Sequence, residues 1–217
     1  MIGQESCHYD GITSYFAGIR ELRKLGLVNR ATARLCHTSK ALNDLMKRNF
    51  DHRITPFGLR YVDFSRVLAE TESIVAGSQI FQCATGEHVH GDDDDKIDID
   101  VYVPFSQIEA VDKYLESCGY VCVAKSNKVQ ERKKLISHGI HYIHQTNSHR
   151  VDILAMQIDV MPRAAVAAFD FSFLMTLFDS RKYELWFPSH IISRTGRYNE
   201  VRAVLFFCFI YCTITHN

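Results

Sequence analysis

At 217 residues, with 47% hydrophobic and 23% charged residues and only four prolines, the chain has the make-up of a folded globular protein, which argues against extensive disorder. The length suits one core of ordinary size, or one core with a small accessory unit. A formal net charge of zero excludes a global basic field, so a polyanion would have to be gripped by a local patch.

Seven cysteines lie scattered at positions 7, 36, 83, 118, 122, 208 and 212, with no CxxC pair. The first residues, MIGQESCHYDG, have neither the basic flank nor the apolar run of a secretory leader. Reduced, mostly buried thiols and a cytoplasmic location are therefore expected, in a host cell if the source is viral. The longest apolar run, Ala203 to Cys212, is about half of what a membrane-spanning helix needs, so no membrane partner is expected.

In chain order, Ile12 to Phe50 reads as a helical hairpin. Tyr15, Phe16, Ile19, Leu22 and Leu25 recur at helical spacing, Gly26 is a stop, and Asn29 caps a second helix carrying Ala33, Leu35, Leu42, Leu45 and Met46. The hairpin is basic, and its expected role is to pack on the main domain or to recruit a protein partner. A nucleic-acid grip is the sharper alternative, whereas such charge usually marks a solvated face. The break around His52 to Gly58 places a boundary there, giving an N-terminal helical segment over 1–55, a main domain over 56–200 and an apolar tail over 201–217. The tail reads either as a final buried strand or as the remnant of a truncated reading frame.

In the main domain, Tyr61 to Glu72 is a helix leading into a strand, Ser73 to Ala76. Ser106 is expected to cap a helix over Gln107 to Cys118, ended by Gly119. Tyr120 to Ala124 is a strand, and the polar, basic stretch Ser126 to His138 a loop. Ile140 to His144 and Val151 to Ile158 form a hairpin around the turn formers Gln145 to Arg150. Pro162 opens a short helix, and Phe169 to Phe178 and Tyr183 to Phe187 read as two strands about the turn Asp179 to Lys182. Strands and helices alternate and antiparallel hairpins come late, so the class is α+β (or α/β) with a mixed sheet flanked by helices.

The chain is organised around Ser73 to Val103. There a strand, the pair Gly77-Ser78, an apolar-periodic helix, an acidic loop and a second strand, Ile97 to Val103, follow one another. Asp98 and Asp100 sit at i and i+2 of that strand, so both carboxylates leave one face. Two anions side by side repel, and their usual counter-charge is a divalent metal. Gly77-Ser78 stands at a strand-to-helix turn, where free N–H groups and the helix dipole favour an anion such as a triphosphate. Asp152, inside the apolar strand Val151-Asp152-Ile153-Leu154, is an acid that burial makes costly unless it is paired or bound to metal.

With those residues in place, the sequence resembles the DNA polymerase beta-like nucleotidyltransferase superfamily, whose pattern is a strand, Gly-Ser, a helix, an Asp-x-Asp strand and a later third acid. The residues that match are Gly77, Ser78, Asp98, Asp100 and Asp152. AGSQIFQCATGE followed by DIDVYV, with FDFSFLMTLFDS and RTGRY further on, looks closest to the uncharacterised nucleotidyltransferase-fold proteins of large DNA viruses and fungi. The likeness covers Glu72 to Tyr198. It implies a nucleotidyltransferase-like sheet in which Asp98, Asp100 and Asp152 are catalytic and hold Mg²⁺ (or Mn²⁺). Gly77 and Ser78 would bind the β/γ-phosphates of an NTP. The chain departs from the pattern in the length of the loop Glu87 to Lys96, where four extra aspartates could compete for cations. Basic residues between Lys125 and Lys134, or Arg150, are candidates to neutralise the phosphates.

Blander readings exist for each residue. Asp98 and Asp100 could be solvated acids on an exposed strand face, and Asp152 an edge-strand acid or the partner of Arg150. Asp92 to Asp95 lack the spacing of a Ca²⁺ loop. Cys83, His88 and His90, or His138, His141 and His144, show no zinc-ligand spacing. Superfamily members can also keep the fold as inactive binding modules, which is the alternative to an enzyme.

Overall fold

The computed structural model describes residues 39–86, 98–126, 135–169 and 171–193. Most of the N-terminal hairpin, the aspartate loop, the basic stretch after Ser126, the RTGRY motif and the C-terminal tail lie outside the described residues. The helices are α1 (Ser39–Ile54), α2 (Tyr61–Glu70), α3 (Ser78–Thr85), α4 (Ile108–Ser117), α5 (Pro162–Ala167) and α6 (Pro188–Ser193). The strands are β1 (Ile74–Ala76), β2 (Asp98–Val103), β3 (Tyr120–Ser126), β4 (Ile136–His144), β5 (Arg150–Met156), β6 (Thr176–Phe178) and β7 (Tyr183–Leu185).

Among the described residues the strands form one mixed sheet in the order β3-β4-β5-β2-β1-β6-β7. The β2–β5 pair is parallel and the other neighbours are antiparallel. This is the α+β architecture of a mixed sheet flanked by helices. Parallel neighbours need a crossover, and the chain makes it through α4 and the β3–β4 hairpin before re-entering beside β2.

Alternation along the central strands separates two faces. Ile99, Val101 and Val103 of β2, Val151 and Ile153 of β5, and Val75 of β1 point into the larger core with Phe50, Phe64, Leu68, Ile80, Val111 and Leu115. Tyr102, Ile74, Ala76, Met156 and Leu177 point the other way and pack with Ala165 and Val166 of α5. By alternation along β2, Asp98 and Asp100 share this second face with Tyr102.

Helix α1 belongs to the larger core: Met46, Phe50 and Ile54 are buried in it. Phe50 lies 5.2 Å from the Phe178 ring and near those of Tyr61, Phe64 and Tyr183. Asn49 donates to the Cys83 carbonyl at 2.7 Å, and Arg53 Nη1 to Gln82 Oε1 at 2.6 Å, tying α1 to α3. The packing is thus continuous across residue 55, although Pro56 and Gly58 do end the helix there.

Three local expectations need correction. Ser106 does not cap α4; it lies inside a 3-10 turn, Phe105–Gln107, and Gln107 precedes the helix without a side-chain capping bond. Phe169 to Phe178 is not one strand. A 3-10 turn, Ser172–Leu174, interrupts it, and only Thr176–Phe178 pairs with β1. The loop expected over Ser126 to His138 overlaps two strands, since β3 runs to Ser126 and β4 begins at Ile136.

Two outcomes follow from the packing. Phe50→Ala is expected to destabilise the chain by about 3–5 kcal/mol, since a large buried ring is lost and the site cannot fully collapse; urea denaturation measures it. Burial pushes the Cys83 thiol up to about 12, with Arg53 partly opposing, while Cys122 is exposed. At pH 8 Cys83 therefore holds almost no thiolate. Mass-spectrometric mapping after alkylation should find Cys122 modified in the native protein, and Cys83 only after unfolding.

Candidate metal and phosphate site

The site is built by register. In the parallel β2–β5 pair Asp98 stands opposite Arg150 and Asp100 opposite Asp152. In the antiparallel β4–β5 pair Asp152 stands opposite His141. Opposite residues share a face, so three strands bring Asp98, Asp100, Asp152, Arg150 and His141 together.

One carboxylate oxygen from each of Asp98, Asp100 and Asp152 lies within 4.8 Å of the other two, an arrangement able to hold a metal ion. At an effective dielectric constant of about 20, two such charges repel by roughly 3–4 kcal/mol. Asp152 is the most enclosed, with its side chain 10% exposed. It lies on a central strand, between β4 and β2, and is therefore not an edge-strand acid.

Arg150 donates to Asp152 Oδ2 at 3.4 Å. Among the candidate phosphate-binding cations, Lys125 stands opposite Ile140, whose side chain enters the larger core, and so shares that face rather than the aspartates'. Burial, and then the charges of Asp100 and Asp98, push the Tyr102 phenol well above its ordinary range. It therefore adds no negative charge beside the aspartates.

Gly77 closes the site from β1. It has φ 90° and ψ −145°, a conformation essentially restricted to glycine, and a Cβ there would lie 3.5 Å from Asp100 Oδ2. The bare backbone thus runs alongside the carboxylate. The Gly77 N–H donates to the Thr176 carbonyl at 3.4 Å, fixing the turn to β6. Its carbonyl accepts the Phe81 N–H at 3.0 Å, the first hydrogen bond of α3. The earlier N–H groups of that turn have no intrahelical acceptor, which is what an anion would use.

The structure brings Asp98, Asp100 and Asp152 within 4.8 Å of one another and sets Gly77 alongside Asp100; Ser78 follows as the first residue of α3. In the sequence His141 stands out only as one of the histidines at 138, 141 and 144, which show no zinc-ligand spacing. The three histidines of β4 do not converge on one another: His144 packs beside Gly58 and Gly119, while His141 Nδ1 lies 2.9 Å from Asp152 Oδ1. The signal was present in Ile140-His141-Tyr142, where a polar residue alternates with two core residues, but its partner depends on the hairpin register.

An α+β protein with a three-carboxylate group beside a glycine turn is the class that fold and site define. A family model described as "Gad2: Gabija anti-defense 2 family protein" matches residues 37–196, and the chain belongs to that family. Among curated proteins, none matches the chain. The match begins before the expected boundary at residue 55, in keeping with the shared core of α1 and the sheet.

Gly77→Ala is expected to destabilise the protein by about 1–3 kcal/mol through the disfavoured backbone conformation. Gly139→Ala is the comparison, since its added Cβ meets nothing nearer than 3.7 Å and it lacks a positive φ. Thermal melts of the two variants should separate, with Gly77→Ala clearly the lower.

Proposed function

We propose that the chain is a metal-dependent nucleotidyltransferase, moving an NMP group from an NTP to a hydroxyl on protein, nucleic acid or a small molecule. The observation that carries this reading is the meeting of Asp98, Asp100 and Asp152 beside the Gly77-Ser78 turn. The resemblance to the DNA polymerase beta-like nucleotidyltransferase superfamily supports it, because these are the five residues of its pattern. The donor set fits a hard divalent cation: three carboxylates, one of them enclosed, with Asp152 Oδ1 shielded from solvent and lacking a directed hydrogen bond.

In this reading Asp98, Asp100 and Asp152 hold Mg²⁺ or Mn²⁺, which when bound neutralises charge on the reacting phosphate oxygens. Gly77 and Ser78 receive the β/γ-phosphates on the first turn of α3, with the glycine keeping side-chain atoms out of the way. Asp152 accepts the proton of the acceptor hydroxyl. The acceptor oxygen bonds to the α-phosphorus as the bond to the bridging oxygen breaks, and pyrophosphate leaves. In line with the family's description, we take the activity to act against Gabija defence.

The second reading is an inactive binding module of the same fold, with a protein partner recruited by the N-terminal helices. One observation favours it: Arg150 and His141 already approach both oxygens of Asp152, so the chain itself meets part of that carboxylate's charge. Nucleic-acid binding through the basic N-terminal segment would show a steep salt dependence.

Labelled NTP with Mg²⁺ or Mn²⁺ separates the readings. Transfer is expected, and the Asp98→Ala, Asp100→Ala double variant should lose at least about a hundredfold in rate, the equivalent of roughly 3 kcal/mol of transition-state stabilisation. Undiminished transfer in that variant would sink the proposal. Nucleotide-dependent thermal stabilisation of the wild type with no product would favour the binding module.

A further inference from the structure

Asp152 is approached from two sides, and only one approach comes from its own strand. Arg150, two residues earlier on β5, donates to Oδ2 at 3.4 Å. His141 comes from β4, where it is the register partner of Asp152, and its Nδ1 lies 2.9 Å from Oδ1. Both of these atoms are shut off from solvent and neither makes a directed hydrogen bond, so the approach lies off the axis of the ring N–H. The contact is a close electrostatic one whose direction leaves the lone pairs of Oδ1 incompletely used. A carboxylate oxygen has room for a second partner.

The backbone makes this contact hard to lose. Directly opposite residues of an antiparallel pair are held at fixed separation by the ladder on either side. Ile140 and Tyr142, flanking His141, are buried in the core, and Tyr142 donates to Asp112 Oδ1 at 2.6 Å. His141 itself is not part of the three-carboxylate group, whose atoms lie within 4.8 Å of one another. It reaches the candidate metal site only through Asp152.

We propose that His141 is a positioning residue for Asp152. The polar Nδ1 edge of the imidazole, set against Oδ1 on the side away from β2, favours one rotation of the carboxylate, so that an oxygen stays turned toward Asp98 and Asp100. This inference rests on the metal reading above and adds to it a residue that no part of that reading requires. Partners of this kind, one shell removed from a metal, typically matter about 10–100-fold in affinity.

The test is Mn²⁺ binding to the full chain, followed by loss of the free-ion paramagnetic resonance signal, with no nucleotide and no turnover. Wild type should bind. His141→Ala should bind about 10–100-fold more weakly, while His141→Asn, whose amide nitrogen reaches roughly where Nδ1 sits, should recover most of the loss. In an Asp152→Ala background, His141→Ala should have no further effect. If the alanine variant does not fold, His141→Phe is read in its place, since it keeps the ring and drops both nitrogens. Wild-type affinity in the alanine or phenylalanine variant, or an asparagine variant no better than alanine, would overturn the role of His141 and leave the metal reading standing. A wild type that binds no Mn²⁺ would overturn both.

Discussion

The parallel pairing of β2 with β5 is the constraint on which the site depends. It places Asp100 opposite Asp152 and Asp98 opposite Arg150, across strands separated by more than forty residues of chain. A slip of one residue would turn Asp152 into the core and Ile153 toward the aspartates, because side chains alternate at every step. The apolar residues between the acids forbid the slip. Ile99, Val101, Val151 and Ile153 are all fully buried or nearly so, and exposing them would cost several kcal/mol in lost burial. The hydrophobic face thus fixes the register, and the register assembles the acids on the opposite face.

The same logic explains why the carboxylates stand at one end of the sheet. On their face Tyr102 packs with Ala165 and Val166 of α5, while Asp98 and Asp100 precede it on the first half of β2. Antiparallel pairing of β1 with β2 brings the end of β1 to the start of β2, so Gly77 falls beside Asp100. A parallel arrangement of these two strands would have put the glycine turn at the far end, a strand's length from the acids. Strand direction, as much as residue identity, puts the glycine turn beside the acids of the candidate site.

Much of this was legible in the sequence, for reasons that differ by residue. β2 and its acids could be read because the alternation of Asp with Ile and Val is local. Gly77-Ser78 could be read because a strand ends and a helix begins around it. Ser106 misled because a serine before an apolar-periodic run looks like a cap, whereas Pro104 starts a 3-10 turn that carries the serine past the helix start. Phe169 to Phe178 misled because its aromatic alternation imitates a strand, and only tertiary pairing selects Thr176–Phe178. The continuity of α1 with the sheet was hidden for a similar reason: Pro56 and Gly58 break the helix without breaking the core.

His141 shows the remaining limit most clearly. A single sequence assigns it to a strand and gives it an outward direction, but its partner follows from the pairing of β4 with β5. That pairing is not uniform, since the register shifts between Ile136 and His138. Counting along β4 from the Ile136–Met156 pair without the shift would set His141 opposite Val151 rather than Asp152. Counting from the Gln145 to Arg150 turn gives the right partner, because the irregularity lies on the far side of His141. The acids that define the candidate site are visible one strand at a time, while the group that steadies one of them is visible only between strands. Where a buried carboxylate serves a metal, its cross-strand neighbour is accordingly the place to look for the residue that orients it.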